Sequence, residues 1–426
     1  MIGRLGLSLR ETKVAPENKA LLRSTVSMYL LQAAKYIFPF ITLPYLARVL
    51  GTDGYAVRSY VLSIMTFVQM AAEFGFMNYA IAVIVKDGLC PETASRVSSR
   101  IMAARLVLYV PLTLVVFAMN ATVPLMGENA DYVWLSFVGI FFSSLLPDFV
   151  FRAYERMGII TVRYVVSKGV AVVLTFLLIH SVDDLLLVPA LDLLTSLIAF
   201  VWSWAAAVRE FGVRPVAFTV KEVWHDLTQA AVYFVSGVST IVFSSLTTFL
   251  LGVFNHNPTE IAYWGIAMTV MNGFNSLYSP LSQSLYPNYL KRAKGNGSFS
   301  LRRLYLLCLP VLLVGTVAFF FLNRPVMWLL GGDDYLGGSY VLAILSPIVL
   351  FSFYVQLSGW PSLGAVGRVE ELTATTVWGT LFHLLELLLL AVFTHYELWL
   401  VAAARVLSEG VTAVLRLIAC RKAGII

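Results

Sequence analysis

Two charged residues stand near the middle of long apolar runs, where a charge could bind a ligand or carry a proton. Lys35 lies in the run 24–47 and Glu73 in the run 59–85. If these runs cross a bilayer, an unpaired ammonium at the centre costs about 3 kcal/mol. Lys35 therefore needs compensation. Two interpretations stay open: Lys35 and Glu73 form a structural ion pair, or Lys35 attracts an anionic ligand while Glu73 binds a proton.

Other charges in apolar runs are weaker candidates. Arg48 and Arg58, at the ends of the first two runs, either extend a basic binding surface with Lys35 or anchor the helices at the interface. Asp192 and Glu386 are isolated carboxylates for which buried hydrogen bonding and proton coupling are both open, so they join Glu73 as candidate coupling residues. His383 lies one turn before Glu386, and Arg405 and Glu409 have the i, i+4 spacing of a pair within one helix.

Uncharged polar residues recur at helical spacing in four of the runs. Such stripes turn away from lipid, either to join helices by hydrogen bonds or to line water. Four stripes in matching positions of the two halves favour a shared polar cavity. Its candidate lining residues are Gln32, Thr42, Ser63, Thr66, Ser236, Thr240, Asn272, Ser276 and Gln283.

The apolar runs predict an all-α integral membrane protein. Hydrophobic residues make up 59% and charged residues 13% of the 426 residues, whereas a soluble domain carries about 25% charge. The runs are long enough to span a hydrocarbon core of about 30 Å. About twelve transmembrane helices are predicted, near 24–47, 59–85, 101–120, 132–152, 162–181, 185–208, 228–253, 260–289, 303–322, 338–358, 371–394 and 397–419.

The distribution of Lys and Arg predicts the orientation of these helices. Alternating assignment places 25 of the 30 basic residues on the side of both termini, which is therefore predicted to be cytoplasmic. The net charge of +6 then reflects loops, and no nucleic-acid partner is predicted. The predicted units are a cytoplasmic segment 1–23, an N-lobe 24–208, a cytoplasmic linker 209–227, a C-lobe 228–420 and a tail 421–426. Six helices in each lobe predict a pseudo-two-fold axis along the membrane normal and a central cavity between the lobes.

No motif in the sequence indicates covalent chemistry. A phosphate-binding Gly-rich loop, HExxH and a nucleophile elbow are all missing, and Cys90, Cys308 and Cys420 fit no metal motif. No catalytic residue, metal or cofactor is predicted. Any energy for transport would come from a proton or sodium gradient, the membrane potential, or consumption of the product.

Several segments resemble bacterial polysaccharide exporters of the Wzx type. Residues 38–55, FPFITLPYLARVLGTDGY, are similar to the first-helix signature, and residues 73–76, EFGF, to the end of the second helix. Residues 279–287, SPLSQSLYP, resemble the helix 8 signature, and Gly367-Arg368 is a weaker match. The segment 146–157 is also similar, but where those proteins commonly have Trp-x-x-Gln-Gly this chain has Phe149, Arg152 and Ala153.

This resemblance implies membership of the superfamily that also contains multidrug extruders and lipid II flippases. It implies two six-helix lobes, a cavity lined by helices 1, 2, 7 and 8, and alternating access in a bacterial inner membrane. The implied cargo is an undecaprenyl-pyrophosphate-linked oligosaccharide repeat unit, flipped to the periplasmic leaflet for O-antigen or a similar polysaccharide. Membrane lipids, a polymerase and a chain-length regulator are the implied partners. A drug or cation antiporter, a lipid II flippase and a polytopic polymerase or ligase are the alternatives.

Overall fold

The structure, a computed structural model, describes residues 16–241, 245–255, 257–294 and 302–426. Throughout these ranges the regular structure is helical, which confirms the predicted all-α class. Seventeen α-helices occupy the described residues. For some residues near the chain start and in the helices around 232–241 and 279–294, the backbone alone is described.

Eight helices form the first half of the chain, which we define as residues 16–211. They are α1 Pro16–Glu73, α2 Phe76–Asp87, α3 Pro91–Thr122, α4 Pro124–Gly127, α5 Ala130–Ser144, α6 Asp148–Ala153, α7 Met157–Leu178 and α8 Leu187–Phe211.

Nine helices form the second half, residues 220–426. They are α9 Val220–Ile241, α10 Thr247–Phe254, α11 Pro258–Lys294, α12 Arg302–Phe321, α13 Asn323–Gly331, α14 Ser339–Leu345, α15 Ile348–Ser358, α16 Val369–Phe393 and α17 Leu398–Lys422.

A single glycine divides α1 into two helices. Gly51 has φ 63° and ψ −172°, a backbone conformation that essentially only glycine adopts. It falls in the Gly-Thr-Asp-Gly turn predicted between the first two helices. The two segments joined there correspond to the predicted helices at 24–47 and 59–85. The second of these ends earlier than predicted, because the chain leaves helical geometry at Phe74 and Gly75 before α2 begins.

Two further predicted helices are interrupted near a proline. The predicted helix 132–152 is observed as α5 and α6, with Pro147 at the break, and 338–358 is observed as α14 and α15, with Pro347 at the break. Proline lacks the N–H that a helix interior requires. Pro111 and Pro310 nevertheless lie inside α3 and α12 without ending them.

Eight helical stretches of the described residues are long and apolar enough to cross a membrane, or nine if the bent pair Asp333–Leu345 and Ile348–Gly364 forms one span. The stretch Tyr29–Asp87 counts as one of these although Gly51 divides it. The helices at the predicted spans 228–253 and 260–289 do not pass the same test, and α11 there is rich in amide and hydroxyl side chains. The count of twelve spans therefore stays a prediction.

The predicted linker 209–227 packs on the first half. The backbone N–H groups of Arg214 and Val216 donate to Ser95 and Ser99 of α3, each at 3.0 Å. Farther along, Asp226 accepts a 2.5 Å hydrogen bond from Tyr79 and forms a 2.8 Å ion pair with Arg100. The linker side chains Val213, Val223 and Leu227 join the same apolar core as the first-half residues Phe76, Val97 and Phe149. The start of α9 is thus held by α2 and α3.

Candidate functional site

A cavity of about 560 Å³ lies within the first half of the chain, between α1, α5, α7 and α8. Its walls combine apolar side chains with eight charged ones. Five of these are basic and three acidic, so the cavity carries an excess of two positive charges. The charged residues are Lys35, Arg58, Arg152, Arg163, Lys168, Glu73, Asp148 and Asp192.

Arg163 of α7 is held in place by two neighbours. Its guanidinium donates to both oxygens of Asp148, at 2.6 and 3.0 Å, and also to the hydroxyl of Ser203 on α8. The planar guanidinium matches the carboxylate in this two-bond geometry. Because the Arg163 side chain is only 4% exposed, its charge is largely neutralised by Asp148 and unavailable to a ligand.

Lys168 and Asp192 form a second pair across α7 and α8. The Lys168 Nζ lies 2.6 Å from Asp192 Oδ1, and both side chains are more exposed to the cavity than the Arg163 pair. Arg58 lies on the same cavity wall, with its guanidinium 5.5 Å from the centre of the Tyr55 ring. A ring face attracts a cation, so Tyr55 holds this guanidinium without cancelling its charge.

Lys35 and Arg152 have no ion pair among the described residues. Lys35 is exposed to the cavity, and no ion pair joins it to Glu73. Glu73 instead accepts a 3.1 Å hydrogen bond from the amide of Gln69, one turn earlier in α1. Lys35 lies within electrostatic range of Arg152, Asp148 and Glu73. Lys35, Arg152 and Arg58, which also has no ion pair among the described residues, are therefore the charges that an anionic ligand can reach.

Two helix breaks position the acidic residues. Glu73 is the last residue of α1, before the positive-φ residues Phe74 and Gly75, and Asp148 is the first residue of α6. At the break between α5 and α6, Trp204 donates to the carbonyl of Leu145 and Arg105 to that of Leu146. Carbonyls freed by a break inside an apolar region need such donors.

Arg48 lies away from this cavity. Its guanidinium donates to the carbonyls of Trp328 and Leu329, at 3.1 and 2.8 Å, at the end of α13. The same group lies 5.8 Å from the Trp328 ring centre. Of the three basic residues predicted to bind a ligand, Lys35 and Arg58 reach the cavity and Arg48 joins the two halves of the chain.

Most of the predicted hydroxyl residues bond to their own helix. Ser63 and Thr66 donate to carbonyls three and four residues earlier, and so do Thr42 and Ser276. Gln32 and Asn272 are exposed and lie outside the cavity walls. The side chains of Ser236, Thr240 and Gln283 lie outside the described residues, so the predicted contribution of helices 7 and 8 stays a prediction.

Glu386 belongs to a separate polar network in the second half. It accepts a short hydrogen bond from Ser408, whose hydroxyl also lies 2.8 Å from Nδ1 of the buried His383. Nε2 of His383 lies 2.9 Å from the hydroxyl of Thr247 on α10. The predicted pair Arg405–Glu409 is present at 2.7 Å, and Ser352 also donates to Glu409. Glu386 therefore does not line the first-half cavity, whereas Glu73 and Asp192 both do.

The sequence interpretation missed four cavity residues. Arg152, Arg163 and Lys168 were counted among the basic residues of the predicted cytoplasmic side, near the ends of the predicted helices 132–152 and 162–181, and Asp148 was noted only within the segment 146–157. In the structure, Arg163 and Lys168 lie inside α7 and face α8. Arg163 and Ser167, one helical turn apart and both buried, are the sequence signal that could have identified an inward face of this helix.

The fold is shared with solved membrane transporters. The structure superposes on an inward-facing multidrug resistance MATE family transporter of the MOP superfamily with a TM-score of 0.70, at 16% identity over 95% of this chain and 98% of the other. It superposes on the lipid II flippase MurJ in an inward closed conformation with a TM-score of 0.64, at 15% identity over 94% and 87% of the two chains. The chain is a multi-pass membrane protein with the MOP fold.

Sequence comparison identifies the family. The family described as "Polysaccharide biosynthesis protein" matches residues 21–291, more than half of the chain. The chain therefore belongs to the polysaccharide biosynthesis protein family. A relative from Escherichia coli (strain K12), named "Putative O-antigen transporter", is 25% identical over 346 residues, which are 80% of this chain and 81% of the relative.

Proposed function

We propose that this protein is a flippase that moves undecaprenyl-pyrophosphate-linked oligosaccharide repeat units from the cytoplasmic to the periplasmic leaflet, for O-antigen or a related surface polysaccharide. The observation that carries the proposal is the cation excess of the first-half cavity, with Lys35 and Arg152 outside any ion pair among the described residues. A pyrophosphate cannot cross hydrocarbon unaided, and cationic side chains compensate its charge. The family and the name of the Escherichia coli relative support the same cargo class.

The transport cycle proposed is alternating access between two six-helix lobes, 24–208 and 228–420, related by a pseudo-two-fold axis. Contacts near Gly51 support an inward-facing state, because that turn is predicted to be periplasmic. There the Tyr335 hydroxyl donates to the Gly51 carbonyl at 2.9 Å, and Arg48 bonds to the end of α13. Both superposed transporters are also in inward conformations. We also propose that the protein has twelve transmembrane spans, that both termini are cytoplasmic, and that it is located in the inner membrane.

The polar residues of the cavity have proposed roles in this cycle. Lys35 and Arg58 bind the anionic headgroup, and Glu73 and Asp192 are candidates for proton coupling, with Glu386 as a candidate in the second half. A polymerase and a chain-length regulator receive the exported unit.

The excess of basic over acidic side chains in the cavity argues against a cation antiporter, which needs an acidic cavity. The cargo of a lipid II flippase has the same undecaprenyl pyrophosphate but a different headgroup, a disaccharide that carries a peptide, so cargo analysis separates it from the proposed function.

The proposal is tested in a strain that lacks the gene, by mass spectrometry of lipid-linked intermediates and leaflet-specific labelling. We expect single repeat units to accumulate on the cytoplasmic leaflet, and the wild-type gene to restore their export. Accumulation on the periplasmic leaflet would instead indicate a defect in polymerisation or ligation. Accumulation of lipid II would instead indicate that the protein transports cell-wall precursors.

A further inference from the structure

Arg152 of α6 has a buried nitrogen that no group in the described part of the chain satisfies. The residue is half-buried in the cavity wall and belongs to no ion pair there, and its Nε has no hydrogen-bond partner. Ser167 of α7 lines the same cavity, and its buried hydroxyl also lacks a partner among the described residues. Buried polar atoms are normally paired. These two groups are therefore the donors that a bound ligand with acceptor oxygens would satisfy.

The carboxylate that Arg152 would be expected to bind is occupied by another arginine. Asp148 begins α6 and Arg152 follows four residues later, the spacing at which opposite charges pair on a helix. Arg163 of α7, however, donates to both oxygens of Asp148, at 2.6 and 3.0 Å. The same guanidinium also donates to Ser203 of α8, which fixes it beside Asp148. Arg152 consequently keeps its charge for the cavity.

The charges of the cavity fit a ligand with two negative charges. Its five basic and three acidic side chains leave an excess of two positive charges. A diphosphate that links a lipid to a sugar carries two ionised oxygens, whereas a monophosphate in the same position carries one. Lys35 and Arg152 belong to different helices, so two cations are available to two phosphate groups. Without Arg152 the excess would be a single charge, which matches a monophosphate.

We propose that Arg152 is a specificity-determining residue, which binds one of the two phosphates of a diphosphate-linked lipid, and that Arg163 is its positioning residue. By binding both oxygens of Asp148, Arg163 prevents an Asp148–Arg152 pair within α6. Arg163 is only 4% exposed and acts through Arg152. This inference rests on the proposed function and deepens it, because it assigns the preference for a diphosphate over a monophosphate linkage to named side chains.

The test measures binding to the full-length protein in lipid nanodiscs. A fluorescent polyprenyl-diphosphate-linked disaccharide is the probe, and it is displaced by unlabelled lipids that carry the same sugars on a diphosphate or on a monophosphate. The ratio of the two displacement constants gives the diphosphate preference. Arg152→Gln is expected to lower this preference by about tenfold, because the charge-assisted bonds to one phosphate are lost. Arg152→Lys keeps the charge without the planar fork and is expected to retain part of the preference.

Variants of the ion pair test the positioning role. In Arg163→Gln, Asp148 loses its partner and binds Arg152, so the diphosphate preference is expected to fall about as far as in Arg152→Gln. Adding Asp148→Asn removes the competing carboxylate, so the preference of this double variant is expected to return towards the wild-type value. A purely structural role would not give this recovery, because the double variant lacks both charges of the pair. Arg156→Gln is the matched control, because Arg156 is exposed and lies outside the cavity walls.

Three results overturn the role of Arg152: a wild-type protein that binds both lipids equally, an unchanged preference in Arg152→Gln, or an equal loss in Arg156→Gln. A loss that persists in the double variant overturns the positioning role of Arg163. If Arg163→Gln does not fold, Asp148→Asn alone decides, because it is expected to keep the preference and a loss would contradict the positioning role. Failure of the proposed function has a different signature: the protein then binds the diphosphate lipid with this preference, but vesicles that contain it move no lipid between leaflets.

Discussion

Lys35 differs from the other lysine of the cavity in its surroundings. Lys168 is paired with Asp192 at 2.6 Å, so its charge is shared with a carboxylate. No ion pair joins Lys35 to Glu73, which leaves the structural-pair interpretation of the sequence without support in this conformation. The cost of about 3 kcal/mol for a lone ammonium in lipid is reduced here because the side chain faces a cavity.

Lys35→Ala is expected to lower export by at least about tenfold and to leave membrane insertion normal, because the variant removes an accessible cation without removing a packed group. Lys35→Arg keeps the charge and is expected to retain part of the rate. The measurement is transport of a fluorescent polyprenyl-diphosphate-linked disaccharide by the full-length protein in vesicles, with protein amounts matched by immunoblot. Lys86→Ala, at an exposed position on α2, is the control. Normal export in both Lys35 variants would show that this cation does not bind the cargo.

At the scale of elements, the linker 209–227 packs against the first half of the chain, although it leads into α9 of the second half. Asp226 is fully buried and bonded to Tyr79 and Arg100, and two linker N–H groups bond to serines of α3. Glu222, one turn earlier, lies nearer the surface and caps α9 together with Thr219, whose backbone N–H donates to it at 2.7 Å. That N–H lowers the pKa of the Glu222 carboxyl.

Asp226→Asn is therefore expected to destabilise the protein by about 2 kcal/mol, because the largely buried Arg100 loses its 2.8 Å carboxylate partner and keeps only the 3.5 Å ion pair with the partly exposed Glu222. Glu210→Gln is the matched control, because Glu210 is exposed near the end of α8 and belongs to no ion pair among the described residues. Thermal unfolding in detergent, followed by circular dichroism, compares the two variants. Equal stability of both would indicate that Asp226 does not hold the linker.

For the whole molecule, the two halves meet along α1 and α11. A Cβ built on Gly265 of α11 would lie 2.8 Å from the Cβ of Ser59, so the helices are in close contact there. Near the same contact, the ring of Tyr60 stacks on Phe249 of α10 with centres 6.2 Å apart. Alternating access requires contacts at one end of the halves to separate as the other end closes.

A disulfide between Ser59→Cys and Gly265→Cys is expected to stop transport, and a reductant is expected to restore it. Disulfides need Cβ atoms about 3.5–4.5 Å apart, so the pair forms after a shift of about 1 Å. The oxidised and reduced protein are compared in the vesicle assay. Each single cysteine variant is the control, because Cys90, Cys308 and Cys420 are also present. Transport at the wild-type rate with the disulfide formed would mean that the halves do not separate at this contact.

Properties of one segment at a time were predictable from the sequence. The length and composition of the apolar runs determined that the chain is helical and crosses a membrane, because each helix satisfies its own backbone hydrogen bonds. Gly51 indicated the turn inside α1, because the turn needs a positive φ angle that glycine adopts without steric cost. Lys35, Arg58, Glu73 and Asp192 were identified as candidates because charge in an apolar run is costly, and all four line the cavity.

Relations between segments were decided by the tertiary structure alone. Asp148 and Arg163 are 15 residues apart and Lys168 and Asp192 are 24 apart, so no helical spacing predicts either pair. Which cations remain available to a ligand depends on these partners. Arg48 and Arg58 have similar positions at the ends of predicted helices, yet one bonds to α13 and the other reaches the cavity. The reason is physical: a charge takes its partner from the helices that pack beside it, and that packing arises only when the chain folds.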